Sequence, residues 1–184
     1  MRTSLTDPLQ IAVVSAPGVP GAVGLTLCPG KKDWAGGWDR DLEMDIAAIR
    51  AWGAEIVVTL VENREFLLLN GVKLPESVSR HGMKWVHLPI RDVSVPDETF
   101  EANWQTAGAE LRRILRRGGS VLVHCRGGLG RAGTIAARLL VELGMEPETA
   151  ILAVRDARSP QAIETPEQER HIRACCAVLD PEGL

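Results

Sequence analysis

Cys125 and Arg131 bracket the segment of this chain best equipped for chemistry, His124-Cys125-Arg126-Gly127-Gly128-Leu129-Gly130-Arg131. A cysteine opens a glycine-rich turn, an arginine closes it, and a helical pattern follows. Successive backbone N–H groups in such a turn face inward and cradle an anion, with the positive end of the helix behind them. Gly127, Gly128 and Gly130 let the backbone approach a bound oxyanion closely. Donors that hold a phosphate also favour a thiolate, the nucleophilic form of cysteine. The planar fork of Arg131 matches the oxygens of a tetrahedral phosphate. Taken singly, Cys125 is an ordinary buried thiol and Arg131 an ordinary surface cation; the whole loop outweighs that reading. The chemistry it points to is nucleophilic attack on phosphorus.

The elements around the loop suit this purpose. Ser120 to His124 reads as a buried strand delivering Cys125, and Ile135, Ala136, Leu139 and Leu143 give helical spacing up to Gly144. Ile11 to Ser15, Ala22 to Leu27, Glu55 to Val61 and Lys84 to Leu88 read as further strands. Cys28 to Trp38 is expected to be a long loop. Helices are expected from Leu42 to Gly53, around Arg64 to Leu69, along Phe100 to Ile114, over Pro147 to Ala157, and over Thr165 to Leu179. Alternating strands and helices predict an α/β fold with a mostly parallel central sheet flanked by helices. No repeat or linker divides the 184 residues, so one domain over 1–184 is expected, with its core at about 11–179.

Composition excludes several classes. Hydrophobic residues make up 45% and charged residues 24%, an ordinary globular balance. A net charge of −3 favours neither nucleic acid nor an acidic membrane as partner. Neither a membrane-length apolar run nor a signal-peptide core is present, so a cytoplasmic location is the default expectation. Cys28, Cys125, Cys175 and Cys176 lack the C-x2-C spacing of a metal site, and no metal or cofactor is expected. Gly128-x-Gly130-x-x-Gly133 matches a dinucleotide fingerprint literally. That motif requires an acidic residue about 20 positions on, at the end of a strand. Here that stretch, Ala150 to Asp156, has the spacing of a helix.

His124-Cys125-x5-Arg131 resembles the active-site loop of the protein-tyrosine-phosphatase superfamily. With Gly127-Gly128-Leu129-Gly130-Arg131, it is most similar to the kinase-associated branch of the dual-specificity phosphatases. Cys28-Pro29-Gly30-Lys31-Lys32, Thr59-Leu60-Val61-Glu62, His87-Leu88-Pro89-Ile90-x-Asp92 and Ala162-Ile163-Glu164-Thr165 also resemble that branch. The resemblance implies a protein phosphatase acting on phosphotyrosine, phosphoserine or phosphothreonine through a phosphocysteine. It implies that residues 126–131 bind phosphate, or sulfate or vanadate in its place.

The leaving oxygen of a phosphomonoester needs a proton, usually from a carboxylic acid. The resemblance assigns that role to Asp92; Asp97 is the rival, although its setting suits the first turn of a helix. By the same resemblance, His124 steadies the cysteine loop and Gln168 orients the hydrolytic water. Gln168 is equally the third residue of a capping box opened by Thr165. Lys31, Lys32 and Arg40 lie near enough in sequence to border the phosphate site, although solvated loop charges are the commoner case. The arginines at 112, 113, 116 and 117 close a helix, complement its dipole and receive no substrate role. One departure stands out, Ala132 where the family carries Ser or Thr. That hydroxyl stabilises the departing thiolate, and Thr134 replaces it only if its own hydroxyl points back to the sulfur. Ala132 therefore keeps open a second reading, a phosphate-binding module that captures phosphoproteins with little turnover. A redox enzyme and a phosphoinositide phosphatase are weaker alternatives. The first lacks a C-x-x-C partner, and the second lacks the loop lysines typical of that branch.

Overall fold

The computed structural model describes residues 1–180. Its sheet has the order β1-β2-β7-β5-β6, formed by Ala12–Val14, Ala22–Thr26, Ser120–His124, Ala54–Thr59 and Lys84–His87 respectively. Only β1 runs antiparallel to its neighbour; the other pairings are parallel. β7 is the middle strand, and its side chains alternate between two cores. Val121 and Val123 face one hydrophobic cluster and Leu122 the other. Burial on both faces is why these strands read as unbroken apolar runs.

Helices cover each face. On one side lie α1 (Leu42–Trp52), α2 (Asn63–Leu68) and α3 (Leu74–Arg80). On the other are α4 (Glu98–Arg116), α5 (Gly130–Glu142), α6 (Pro147–Arg158) and α7 (Pro166–Arg173). The caps follow from sequence. Asp41 and Asp97 accept from the backbone of Met44 and Phe100, at 2.8 Å each, and Gly53 ends α1 at φ 102°. Asp97 is therefore a helix cap, as its setting suggested.

The structure departs from expectation in three places. The loop after Cys28 contains a small hairpin, β3 (Lys32–Asp33) with β4 (Trp38–Asp39). Lys32 and Asp39 pair across it, and Asp33 accepts from the Gly36 backbone at its turn. The short helix α3 gave no clear periodic signal, because Val78 and Leu74 supply most of its apolar face. The last helix stops at Arg173 instead of reaching Leu179, and the chain beyond it turns and continues without regular structure to residue 180. There the backbone N–H of Val178 bonds to Glu142 O, and Asp180 pairs with Arg112 and Arg116. These tertiary partners, absent from any helical continuation, draw the tail out. They also give Arg112 and Arg116 a role beyond complementing the α4 dipole. Arg117 pairs instead with Glu55.

Candidate active site

Cys125 lies at the carboxyl end of the middle strand, 3% exposed, and its Sγ accepts the Gly128 N–H at 3.2 Å. Gly128 has φ +71°, and a Cβ there would sit 2.4 Å from the Thr26 carbonyl on β2. Only glycine fits that close crossing. A Cβ on Gly130 would lie 2.0 Å from Glu164 Oε2. The loop carbonyls are tied outward. Gly127 O and Gly128 O accept from Arg158 at 3.0 Å each, Arg126 O from Cys28 N at 3.4 Å, and Leu129 O from Gly133 N at 2.9 Å. Carbonyls held outward leave the amide edge turned inward, the arrangement an anion cradle needs.

His124 is fully buried behind the loop. Its Nδ1 lies 3.4 Å from Cys125 O and its Nε2 lies 2.7 Å from Thr59 Oγ1. A carbonyl only accepts, so Nδ1 carries the proton, and Thr59 donates to Nε2. The same Thr59 oxygen accepts from Trp85 Nε1 at 2.9 Å. Burial lowers the His124 pKa to about 4, with nearby Arg131 acting in the same direction. A neutral imidazole thus connects β5 and β6 to the root of the cysteine loop.

At the far end Arg131 is 2% exposed and held by Glu65 in a bidentate pair, Nη1–Oε2 2.6 Å and Nη2–Oε1 2.9 Å. Nη1 also donates to Ile90 O at 3.1 Å, and Nη2 lies 2.8 Å from Asp92 Oδ1. Its Nε–H has no protein partner among the described residues. Burial opposes the charge on Glu65, but Arg131 and the Glu62 N–H together hold its carboxyl below the usual range. Asp92 is about half exposed and takes the Val93 N–H at 3.1 Å. Val93 sits at φ 58°, an uncommon conformation for a β-branched residue, directly beside it.

A cavity of about 290 Å³ brings Cys125, Arg126, Gly127, Leu129, Gly130, Arg131 and Asp92 to one place, with Lys31 and Glu164 on its walls. Arg126 reaches sideways to Asp33 at 3.1 Å. Of the three loop cations, Lys31 lines this cavity and is nearly buried, while Lys32 pairs with Asp39 in the hairpin. Arg40 is a core residue, joined bidentately to Asp45 at 2.8 Å.

Two expected supporting residues are engaged by other partners. Thr134 donates its hydroxyl to Gly130 O at 2.8 Å, one helical turn back, so it does not turn toward the sulfur. That backbone acceptor lies four residues earlier on its own helix and takes the hydroxyl proton. Gln168 is fully buried. Its Oε1 accepts from Glu164 N at 2.8 Å and its Nε2 donates to Ser94 O at 3.2 Å. In this structure its backbone N–H takes the Thr165 cap, and its side chain ties the start of α7 to the loop after Asp92. Ala132 is completely buried among apolar neighbours.

Glu65 and Arg158 were not singled out in the sequence. Glu65 belongs to the Glu62–Glu65 capping box that starts α2, a pattern that looks purely local. Arg158 closes α6, where a cation complements the helix dipole. Only the folded chain brings either one to the loop. Among the described residues no cluster of three His, Cys, Asp or Glu could hold a metal. Nor is any described helix long and apolar enough to cross a membrane. Cys28, pushed up to about 12 by burial and then by neighbouring Cys125, is a thiol next to the loop.

A mostly parallel sheet whose middle strand ends in a cysteine loop, followed by an arginine at a helix start, is the architecture of protein-tyrosine-phosphatase-like domains. Residues 35–178 match the family described as Swiss Army Knife protein, DSP-PTPase phosphatase domain, and the chain belongs to that family. It is homologous to cyclin-dependent kinase inhibitor 3 of Rattus norvegicus, 30% identical over 135 residues that cover 72% of this chain and 62% of that protein. The match thus spans less than two thirds of that relative's length. Human protein tyrosine phosphatase type IVA 3 is 30% identical over 113 residues, 61% of this chain and 60% of that one. Among solved structures, kinase associated phosphatase with its catalytic-site cysteine replaced by serine superposes with a TM-score of 0.79. It is 28% identical and covers 90% of this chain and 92% of its own. Tk-PTP in its active form gives a TM-score of 0.63 at 26% identity, covering 88% and 94% respectively.

Proposed function

We propose that this chain is a protein phosphatase that hydrolyses phosphotyrosine, phosphoserine or phosphothreonine through a phosphocysteine. The observation that carries the reading is the convergence of Cys125, Arg131 and Asp92 on one small cavity at the end of β7. Cys125 Sγ attacks phosphorus in line, forming the S–P bond as the P–O bond to the leaving group breaks. Asp92 delivers the proton to that oxygen. Water then attacks the phosphocysteine, Asp92 takes its proton, and the sulfur leaves as thiolate. Throughout, the loop N–H groups and Arg131 hold the equatorial oxygens. The 2.8 Å contact between Asp92 and Arg131 adds a step of assembly. An arriving phosphate competes for the Nη2 edge and frees the Asp92 carboxyl to face the leaving oxygen.

The test is hydrolysis of a small aryl phosphate by wild type, Cys125→Ser and Asp92→Asn between about pH 5 and 8. The expected outcome is activity abolished by the first substitution and cut about 10²-fold or more by the second. Full activity in Cys125→Ser would refute the mechanism.

Ala132 favours a second reading, a phosphoprotein-binding module with feeble turnover. No hydroxyl stands directly after Arg131, and that of Thr134 is engaged with Gly130 O. Vanadate binding without aryl phosphate turnover would select this reading. If the enzyme turns over, we expect slow breakdown of the phosphocysteine. A pre-steady-state burst in wild type should then disappear in Ala132→Ser as hydrolysis accelerates, by about tenfold for one charge-assisted hydrogen bond. Equal breakdown rates in both would show that the missing hydroxyl is of no consequence.

A further inference from the structure

We propose that Lys31 holds a second anion beside the scissile phosphate. The preferred substrates are then phosphorylated protein segments with a carboxylate or another phosphate next to the phosphoresidue. This rests on the phosphatase reading above and names its substrate class.

Lys31 follows the turn at Cys28-Pro29-Gly30 and is 7% exposed. Its ammonium makes no hydrogen bond within 3.5 Å among the described residues and faces the Trp38 ring, 5.5 Å from its centre. The nearest carboxylate, Asp33, stands 3.6 Å away and is already engaged by Arg126 at 3.1 Å and the Gly36 N–H at 3.0 Å. Lys32, one residue on, is by contrast fully paired with Asp39. A nearly buried charge short of hydrogen bonds is costly, and an incoming anion removes the cost. Burial also holds the Lys31 pKa below the ordinary lysine value, despite the opposing pull of Asp33.

Position makes this charge useful. Lys31 and Gly127 form a shared wall between the cavity over Cys125 and a second cavity of about 350 Å³. The second cavity is lined by Arg2, Trp38, Arg40 and Arg158, with Asp7 as its one acidic residue. Arg40 is neutralised by Asp45, but Arg2 and Arg158 keep guanidinium N–H groups free of acceptors among the described residues. Arg2 lies flat on the Trp38 ring, 3.7 Å from its centre. The positive field therefore continues from the phosphate loop past Lys31. A single phosphate occupies only the first cavity. An extended peptide presenting two acidic groups spans both.

The experiment compares kcat/KM for phosphopeptides differing only beside the phosphoresidue, with Gln, Glu or phosphoserine there, in wild type and Lys31→Met. A small aryl phosphate reports on the chemistry separately. Wild type should prefer the Glu and phosphoserine peptides by about tenfold, mostly through KM, as one charge-assisted contact warrants. Lys31→Met should erase that preference, bringing the ratio of kcat/KM between the Glu or phosphoserine peptide and the Gln peptide to about one. No preference in wild type, or one that survives in Lys31→Met, overturns the proposal. A preference for bisphosphorylated inositol or sugar substrates without one for acidic peptides overturns the peptide assignment. If aryl phosphate is not hydrolysed, the phosphatase reading fails by itself. The same peptides are then titrated calorimetrically into Cys125→Ser and Cys125→Ser/Lys31→Met, where the affinity ratios decide the role of Lys31 without turnover.

Discussion

At the scale of single residues, the arginine that closes the cysteine loop depends on a carboxylate 66 residues earlier. Glu65 fixes the guanidinium plane of Arg131 through two short bonds in a buried setting. Replacing it by Gln leaves one acceptor and removes the charge. We expect Glu65→Gln to weaken vanadate affinity about tenfold and lower stability by about 1–3 kcal/mol, measured by titration and urea unfolding. Unchanged affinity would mean that the loop alone orients Arg131. Val93 is the other residue of note, strained at φ 58° beside Asp92. Strain of this type costs about 1–3 kcal/mol, partly offset in a Val93→Gly variant by the freer unfolded chain. Val93→Gly should therefore gain about 0.5–1 kcal/mol in stability. It should lose activity on alkyl phosphates, whose leaving oxygen needs the proton, more than on aryl phosphates. An equal loss on both would separate the strain from the placement of Asp92.

At the scale of elements, the cysteine loop is held by helices that follow it in the chain. α6 sends Arg158 to the carbonyls of Gly127 and Gly128. The turn after it, fixed by Arg155 on Ala162 O and Ile163 O, brings the Ile163 N–H to Leu129 O. α7 adds Gln168, whose amide reaches the carbonyl of Ser94. The loop after Asp92 and the cysteine loop are thus braced by one carboxyl-terminal unit. Arg158→Met keeps the aliphatic stem but removes both donors. It should leave helix content unchanged by circular dichroism while vanadate binding weakens about tenfold. Retained affinity would show that the glycine turn stays formed without the brace.

At the scale of the whole molecule, the centre of the sheet carries a pH dependence. His124 is neutral and buried between Thr59 and the Cys125 carbonyl, with a folded pKa of about 4 against an ordinary 6.5. Protons bind the unfolded chain more readily in that interval, so stability rises with pH there and is level above it. Acidification from about pH 6.5 to 4 should cost on the order of 3 kcal/mol from this residue. His171, also lowered by burial and by Arg138, acts with the same sign. Urea unfolding across that range should show the slope in wild type and a shallower one in His124→Asn. An undiminished slope in the variant would assign the effect elsewhere.

The cysteine loop, its strand and its helix could be read from residue order because they are local. Cys125, the glycines and Arg131 lie within seven consecutive positions, and turn geometry alone makes them converge. The parallel sheet could be read for a similar reason, since strands buried on both faces leave unbroken apolar runs. The C-terminal boundary was less legible. Helical spacing continues past Arg173, but contacts with Glu142, Arg112 and Arg116 win over it. Tertiary structure alone brought Glu65 and Arg158 to the loop from 66 residues before Arg131 and 30 after Gly128. It also turned Thr134 away from the sulfur and left Lys31 nearly buried without a hydrogen-bond partner. A charged side chain looks the same in sequence whether it caps a helix, meets solvent or reaches a distant carbonyl. What distinguishes these cases is which acceptor the packed chain places within about 3 Å of it.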